Sequence, residues 1–595
     1  MRLPSSAYHR ARVRTTMSAP PIPTLILPRR GSALRSVGRL DGWTVFAFIA
    51  AVLIALPIAI VLSYVFVPTH EIWQHLVATV LTEYIANSLA LAAGVGIGTF
   101  IIGVGTAWLV TLCRFPGRRL FEWALLLPMA IPAYVIAYTY TGVLDAGGPI
   151  QTLLRDSFGW SYGQYWFPQI RSLGGAIAMM TLVLYPYVFM LSRAAFLEQS
   201  VCVLEVSRTL GCGPWRCFFQ VALPLARPAV VTGVALVLME TLNDFGTVQF
   251  FGVATFTTGI YRTWLGMNEP AAAAQLAAIL CLFVFALLAF ERLSRGRGKV
   301  HHTTSRYREL PRFKLRGTAA VLAFLATFLP ILIGFLIPAG VLIVWAIDTG
   351  PSVMNARYIS YAVNSFVLAA VGALAAVLVG MIVAYGLRLK KNRLMEAAAR
   401  VASMGYAVPG AVIAVGVLIP FAALDNWVDA WMMDHFGIST GLILSGTIIA
   451  VIFAYLVRFL AISLNTIESS LGKITRHMDD AARTLGCRPT ATLLQVHLPI
   501  AWGSLLTAGI LVFVDVMKEL PATLLLRPFN FDTLAIRAYQ LASDERLADS
   551  ASPSLAIVLV GIVPVILLSL AIARSRPGTG EPRNGEDYRR VAGDE

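Results

Sequence analysis

Four carboxylates occupy long apolar stretches of this sequence, where a charge is costly: Glu240, Asp244, Asp515 and Glu519. A charged side chain at the centre of a membrane-spanning helix costs about 2.5–3.5 kcal/mol on insertion scales, so such residues are candidates for function. Within each pair the acids are four residues apart, and a continuous helix would present both on one face. Four carboxylates along one path through a membrane would favour a cation.

The neighbours of these acids leave a second interpretation open. Lys518 follows Asp515 by three residues and could neutralise it, while Asn243 could hydrogen-bond within the first stretch. The acids would then only hold helices together. A tight metal site is disfavoured, because tight binding would slow passage along a path. The predicted path residues, with structural pairing as the alternative, are Glu240, Asn243, Asp244, Asp515, Lys518 and Glu519.

The remaining chemistry-bearing residues form no site of known spacing. The eight histidines lack metal-ligand spacing, and Cys212 and Cys217 have no partners at zinc spacing. The phosphate-binding pattern G-x(4)-G-K-[ST] does not occur. We predict that the chain is not an enzyme, holds no cofactor and cannot hydrolyse ATP by that route.

Composition identifies the elements that must position the acids. Of the 595 residues, 57% are hydrophobic and 13% are charged, whereas about 25% of the residues of soluble proteins are charged. The sequence therefore predicts an all-α polytopic membrane protein with about twelve transmembrane helices of about 20 residues or more, the third and ninth interrupted by proline. Their predicted limits are 43–66, 87–112, 122–144, 173–195, 228–250, 271–290, 318–346, 361–387, 396–423, 441–464, 502–526 and 552–573.

The distribution of basic residues predicts the orientation. If the N-terminus is inside, the inner segments carry 39 Lys and Arg and the outer loops carry 7, with Arg458 assigned to the inner end of its span. Basic residues concentrate on cytoplasmic loops, so both termini are predicted to be cytoplasmic. The formal charge of +15 then needs no nucleic acid. The first apolar run is too long for a cleavable signal, which predicts a retained membrane anchor.

An internal repeat divides the chain. Residues 205–212 (EVSRTLGC) align with 480–487 (DAARTLGC) at an offset of 275, and the Asn-Ser pair at 87–88 matches that at 364–365 at an offset of 277. The repeat predicts two six-helix units in the same orientation. The predicted segments are a basic N-terminal tail (1–42), a first unit (43–292), a linker (293–317), a second unit (318–574) and a C-terminal tail (575–595).

The aligned segments form one loop in each half, called here the first loop motif (205–212) and the second loop motif (480–487). Each lies between the fourth and fifth spans of its half. A short helix in each loop would end at Gly211 or Gly486, which can adopt the φ > 0 conformation that ends a helix. Leu-Pro then begins the return to the membrane, so both loops are predicted to be rigid cytoplasmic knobs.

This pattern resembles the EAA loop, E-A-A-x(3)-G-x(n)-L-P, of permease subunits in ATP-binding-cassette importers. In the first copy Val206-Ser207 replaces Ala-Ala, and in the second Asp480 replaces Glu. The resemblance implies that the short helix of each loop sits in a groove of a cytoplasmic ATPase and transmits its motion. The implied contact residues are Glu205, Arg208, Thr209, Gly211, Asp480, Ala481, Ala482, Arg483, Thr484 and Gly486.

Further segments are similar to the fused two-domain permeases of the ferric-iron import branch, namely residues 239–252 with 257–264, and residues 518–529. Similar fused permeases serve thiamine, phosphonates or polyamines. The resemblance implies ferric iron as the substrate and a location in a bacterial inner membrane. It also implies two partners, which are a cytoplasmic ATP-binding subunit in two copies and an external substrate-binding protein.

Two other classes of protein compete with this interpretation. An ion-gradient secondary transporter also uses repeats and buried acids, but it would have no reason to keep two matched loops. A membrane enzyme or signalling scaffold would need a catalytic constellation at the membrane surface, and the sequence contains none.

Overall fold

The computed structural model describes residues 42–198, 206–207, 209–294, 312–389 and 393–574. Within these residues, ten helices are long and apolar enough to cross a membrane, and a bent pair of helices forms an eleventh candidate. A shorter apolar helix at Ala551–Leu567 lies at the position of the twelfth predicted span. The prediction of an all-α polytopic protein is confirmed.

The first half contains twelve helices among the described residues, several of them short. They are α1 (Gly42–Ser63), α2 (His70–Thr79), α3 (Leu81–Leu112), α4 (Arg118–Ala124), α5 (Ala133–Leu144), α6 (Pro149–Phe158), α7 (Leu173–Glu198), α8 (Pro214–Cys217), α9 (Leu223–Asn243), α10 (Gly246–Phe250), α11 (Phe256–Tyr261) and α12 (Pro270–Ser294).

The second half follows the same order. Its helices among the described residues are α13 (Thr318–Ile331), α14 (Ile337–Val353), α15 (Ala356–Leu389), α16 (Arg393–Ala402), α17 (Gly410–Phe436), α18 (Ile448–Lys473), α19 (Arg476–Thr484), α20 (Pro489–Thr492), α21 (Leu498–Met517), α22 (Pro521–Leu526), α23 (Leu534–Ser543) and α24 (Ala551–Arg574).

Tighter and wider helical turns join several of these helices. The 3₁₀ turns are Tyr64–Phe66, Leu127–Ala130 and Gly405–Ala407, and the π-helical turns are Phe218–Ala222, Arg262–Gly266, Leu332–Leu336 and Leu493–His497. Two of the π-helical turns, one before α9 and one before α21, occur 275 residues apart, so even this uncommon geometry is repeated. Strands β1 (Cys113–Arg114) and β2 (Phe313–Lys314) pair in parallel, with Cys113 opposite Phe313.

Proline breaks the third and ninth predicted spans, as expected. In the third span the helical segments on either side of residues 131–132 are bent by 89°. The ninth span was predicted to begin at residue 396, but residues 393–402 form the separate helix α16, and α17 begins only at Gly410. Pro409 has φ of −56° and no N–H to donate, and the residue before a proline is pushed out of the helical region.

Each half has a core of three long helices that correspond by the repeat. In the first half α3, α7 and α9 pack together, and in the second half α15, α18 and α21 do so. Small residues allow the close approach. A Cβ atom on Gly103 would lie 2.7 Å from the Val188 side chain, and one on Gly380 would lie 2.7 Å from the Ser463 hydroxyl.

The two halves make the same cross-bundle hydrogen bonds. The Asn87 amide donates to the carbonyl oxygen of Ala254 at 2.9 Å, and the Asn364 amide donates to that of Asp532 at 3.1 Å. One residue further on, the Ser88 and Ser365 hydroxyls each accept from a backbone N–H at the start of the helix that follows. These matching contacts confirm the two tandem repeats.

The first helix of each half packs on the other half. Helix α1 contacts α15, α16 and α17 of the second half, while α13 contacts α3 and α4, and α14 contacts α5, all in the first half. The two repeats are therefore interlocked, and the contacts between them are part of the folded structure of the chain.

Candidate functional site

A cavity of about 100 Å³, lined by both charged and apolar residues, lies between the two halves, at the ends of α9 and α21. It is lined from the first half by α5, α7 and α9, and from the second half by α18, α21 and the turn before α17. The structure brings all six predicted path residues to this one cavity: Glu240, Asn243, Asp244, Asp515, Lys518 and Glu519.

The second acid of each pair lies beyond its helix, which corrects the expectation of a shared helix face. Helix α9 ends at Asn243 and α21 ends at Met517, so the backbone has already turned at Asp244 and Glu519. Both carboxylates then accept hydrogen bonds from the short helix that follows. Asp244 accepts from the Thr247 N–H at 3.0 Å, and Glu519 accepts from the Ala522 N–H at 3.1 Å. These contacts are 275 residues apart, so capping is a shared structural role of the second acids.

The first acids of the two pairs have different surroundings. Asp515 forms an ion pair with Lys518, with 2.8 Å between carboxylate oxygen and Nζ. Glu240 instead accepts a hydrogen bond from the Tyr406 hydroxyl at 3.1 Å. The pairing that the sequence left open as an alternative is thus present for Asp515, and its repeat equivalent Glu240 makes a neutral contact.

Arg458 is the main residue of the cavity that the sequence reasoning placed elsewhere. It was assigned to the inner end of its span, but it lies within α18, is 5% exposed and lines the cavity. Its Nη1 donates to the Asn243 side-chain oxygen at 2.8 Å and lies 3.5 Å from the Glu519 carboxylate. An arginine ten residues into an apolar run was the available signal.

A glycine makes this arrangement possible. A Cβ atom on Gly410 would lie 2.4 Å from Nη1 of Arg458 and 2.8 Å from Oε1 of Glu519. The Gly410 N–H also donates to the Asn243 side-chain oxygen at 2.6 Å. Any larger residue at the start of α17 would displace the buried ion pair.

Three tyrosines complete the polar lining of the cavity: Tyr134, Tyr187 and Tyr406. The Tyr134 hydroxyl donates to the backbone carbonyl of Lys518 at 3.4 Å, so it joins the first half to the second. The Tyr261 hydroxyl bonds to the carbonyl of Pro521 and makes a further contact between the halves. Sequence reasoning missed these residues because an aromatic ring within an apolar span carries no signal of where its hydroxyl lies.

Charge in the cavity is unbalanced toward the negative. Four carboxylates line it against two cationic groups, Lys518 and Arg458, and both cations stand beside a second-half acid. In the described part of the chain, no group of three or more His, Cys, Asp or Glu side chains is arranged to hold a metal ion. The acids are therefore spread around the cavity and are not gathered into one ligand set.

The second loop motif forms a helix with the predicted ending. Helix α19 ends at Thr484, and Gly486 has φ of +81°. Ala482 is buried against the rest of the protein, while Ala481, Arg483 and Thr484 are exposed. Arg483 also pairs with Asp480 at 2.6 Å.

The first loop motif is described only in part. Glu205 and Arg208 lie outside the described residues, whereas Thr209 is exposed and Gly211 has φ of +79°. The Cys212 N–H donates to the Ser207 carbonyl at 3.0 Å, and the Cys487 N–H donates to the Ala482 carbonyl at 3.0 Å. Both motifs thus end in the same glycine-dependent turn.

An ion pair joins the halves at the opposite end of the bundle. Arg171, just before α7, makes two hydrogen bonds of 2.7 Å with the Glu545 carboxylate and lies 3.3 Å from Asp145. The guanidinium holds the pKa of the Glu545 carboxyl below its usual value. This pair is exposed, and it links loops from the two halves on the side away from the loop motifs.

Comparison with known proteins agrees with this architecture. Over 529 residues the chain is 26% identical to the Fe(3+)-transport system permease protein FbpB 2 of Haemophilus influenzae. The aligned region covers 87% of this chain and 96% of that protein. The chain is 24% identical over 489 residues to the putative ferric transport system permease protein FbpB 1 of the same organism, covering 79% and 74%. The molybdenum transport system permease protein ModB of Escherichia coli is 30% identical over 230 residues, which are 38% of this chain and 93% of that protein.

The family described as binding-protein-dependent transport system inner membrane component matches residues 31–296 and again residues 376–579. The two matches together cover well over half of the chain, and one lies in each half of the interlocked bundle. This chain therefore belongs to the family of binding-protein-dependent transport system inner membrane components.

Proposed function

We propose that this chain is the permease of an ATP-driven importer for ferric iron. Two relatives named as ferric permeases are matched over most of their length. The chain itself would have no catalytic activity, and ATP hydrolysis would occur in a separate subunit. A substrate-binding protein would deliver the iron from outside.

The convergence of four carboxylates from both halves on one cavity carries this proposal. The two cations of the cavity stand beside Asp515 and Glu519, whereas Glu240 and Asp244 receive only neutral donors among the described residues. A negative potential in a low-dielectric cleft raises the local concentration of a cation. The cavity is therefore suited to a positively charged substrate that passes without being held.

The two cations also favour a second candidate. Lys518 and Arg458 line the same cavity, and they would attract an oxyanion such as a phosphonate if their acidic partners turned away. Thiamine and polyamines, being cations, would use the same acids as ferric iron. The identity of the transported substrate, a cation or an oxyanion, therefore distinguishes the two candidates.

Uptake into proteoliposomes separates these candidates. The purified chain would be reconstituted with its ATP-binding subunit and binding protein, and accumulation of radioactive ferric iron would be measured with and without ATP. We expect uptake that requires ATP and falls in Glu240→Gln. Accumulation of phosphonate in place of iron would support the second candidate, and uptake driven by an ion gradient without ATP would contradict an ATP-driven importer.

The loop motifs are the proposed docking sites for two copies of the ATPase. The exposed residues of the motifs and the same glycine turn in each of them support one docking site in each half. Valine at Gly211 and Gly486 would place a β-branched residue at positive φ, which costs about 1–3 kcal/mol at each site. We expect the double variant to insert normally and to lose ATP-dependent uptake. Gly472 lies in a helix with open space around it, so the control variant Gly472→Val should retain ATP-dependent uptake.

The excess of basic residues on one side supports cytoplasmic termini and a cytoplasmic position for the loop motifs. Single cysteines at Ser161 and Asp434, both exposed, should then react with an impermeant thiol reagent from outside. A cysteine at the exposed Thr484 should not. Reversed labelling would place the loop motifs, and the ATPase, on the other side.

A further inference from the structure

Asp479 lies one residue before the second loop motif and joins three helices. It stands in the first turn of α19, and its Oδ2 accepts a hydrogen bond from Arg388 Nε at 3.0 Å and lies 2.8 Å from Nη2 of the same ion pair. Its Oδ1 lies 2.6 Å from Nε2 of His497. Arg388 belongs to α15 and His497 to the π-helical turn before α21, so one carboxylate ties the loop helix to two core helices.

Arg388 adds the third core helix to this cluster. Besides Asp479, its guanidinium donates to the carbonyl oxygens of Leu471 and Ile474 at the end of α18, the latter at 3.0 Å. The last carbonyls of a helix lack partners within the helix and carry a partial negative charge, so an arginine there is doubly favourable. The guanidinium is only 13% exposed, which shields these bonds from water.

His497 holds the other side of the carboxylate. It is 1% exposed, and because an ionised carboxylate can only accept, the proton of this hydrogen bond is on Nε2. The ring of Tyr385 packs edge-on against the imidazole at 5.4 Å, and the Tyr385 hydroxyl donates to the carbonyl of Pro489 at 2.6 Å. The segment after the loop motif is thus fixed to α15 as well.

The first half carries different residues at the equivalent positions. By the repeat offsets, Thr111 stands for Arg388, Leu204 for Asp479, and Ala222 for His497. Trp108 replaces Tyr385, and its ring packs on Phe196, Phe218 and Phe313 with centroids 5.0–6.2 Å apart. In the first half, this aromatic packing surrounds the position that Tyr385 holds in the second half.

We infer that Arg388, Asp479 and His497 form a charged joint that transmits movement of the second loop helix to the transmembrane core. This inference rests on the proposed docking of the ATPase at the loop motifs. An isolated nine-residue helix is marginally stable, so α19 can move a bundle only if tertiary contacts fix it there. Asp479 is a positioning residue in this joint, since it faces the protein, whereas Ala481, Arg483 and Thr484 of the motif are exposed.

Asp479→Asn tests the joint with little change of shape. In the reconstituted importer we expect uptake per ATP hydrolysed to fall about tenfold, within the range typical of coupling between two sites. The ATPase subunit should still bind, and hydrolysis should continue. Glu468→Gln is the matched control, because Glu468 is an exposed carboxylate near the same end of α18, and it should leave uptake unchanged.

The outcomes separate this inference from the proposed docking. Normal uptake in Asp479→Asn would overturn the joint and leave the docking proposal standing, which the glycine variants test on their own. Loss of ATPase binding in Asp479→Asn would also overturn it, because the residue would then maintain the docking surface. Recovery of part of the uptake in Asp479→Glu, which restores the charge, would support it.

Conversion to the first-half residues tests whether the three side chains act as a unit. Asp479→Leu alone leaves Arg388 without its carboxylate in a mostly buried place, and such an unpaired charge costs more than removal of the whole pair. We expect Arg388→Thr, Asp479→Leu and His497→Ala together to retain more uptake than Asp479→Leu alone. Losses that simply add would show independent residues and would overturn the joint.

Discussion

The two halves of this permease agree in backbone geometry and differ in charge. Gly211 and Gly486 have φ values of +79° and +81°, and Asp244 and Glu519 cap the helices that follow them through equivalent N–H groups. Other side chains of the cavity differ between the halves, because Arg458 of the second half stands where the first half has Val183.

This difference shows which features a repeat retains. A turn or a helix cap is required by the path of the chain, and both halves follow the same path. Side chains that face the cavity or the loop joint are constrained only by their neighbours, so the second half supplies both cations of the cavity and the charged joint. The function proposed here therefore depends on the halves unequally.

Removal of Arg458 should have the largest effect on stability. Arg458→Met leaves the Glu519 carboxylate buried without its cation, and breaking a buried ion pair costs about 3–5 kcal/mol. We expect the largest fall in detergent melting temperature of any single cavity variant. Adding Glu519→Gln should recover part of the loss, and an unchanged melting temperature in Arg458→Met would show that the pair is not needed.

Neutralising the first acids, Asp515 and Glu240, should change stability differently in the two halves. Asp515→Asn removes the partner of Lys518 and should cost about 1.5–3 kcal/mol, the value of a hydrogen bond to a charged group. Glu240→Gln can still accept from Tyr406, so its melting temperature should stay within the range of a neutral substitution while uptake falls. Equal melting temperatures in the two variants would show that the different partners of Asp515 and Glu240 do not affect stability.

Substitutions of the second acids, Asp244 and Glu519, should separate the effect of helix capping from the effect of charge. Asp244→Ala should lower stability by about 0.5–2 kcal/mol through loss of the cap, whereas Asp244→Asn should retain it. Glu519→Ala should cost more than Asp244→Ala, because it also removes the partner of Arg458. Chemical denaturation in detergent would measure all three, and equal losses in Asp244→Asn and Asp244→Ala would contradict the capping role.

The ion pair at the end away from the loop motifs should give the smallest effect. Arg171 lowers the pKa of Glu545 in the folded state, so the stabilisation is present above the ordinary value of about 4.3 and is lost as the pH falls through the lower folded value. An exposed pair contributes at most about 1 kcal/mol. Melting between pH 7 and pH 3 should show an acid-side loss that is slightly smaller in Glu545→Gln than in the unaltered protein, and an identical pH profile in that variant would contradict this contact.

Much of the fold could be predicted from the sequence, because the determining property is local. Apolar runs must be helical in a membrane, since every backbone group needs a partner within the span. The repeat at offsets of 275 and 277, the glycine turns and the proline break near residue 132 are likewise readable from short segments. The gathering of Glu240 and Asp515 at one place follows from the repeat itself.

Tertiary structure alone decided where the chain leaves the helix and which side chains meet. The helices end before Asp244 and Glu519, so the expected common face became a pair of caps. Arg458 meets Asn243 across 215 residues, and Arg388 meets Asp479 across 91, at distances that no local pattern encodes. The first pair joins α18 to the end of α9 and the second joins α15 to α19. A buried charge takes whichever partner the packing of these helices brings within hydrogen-bond range.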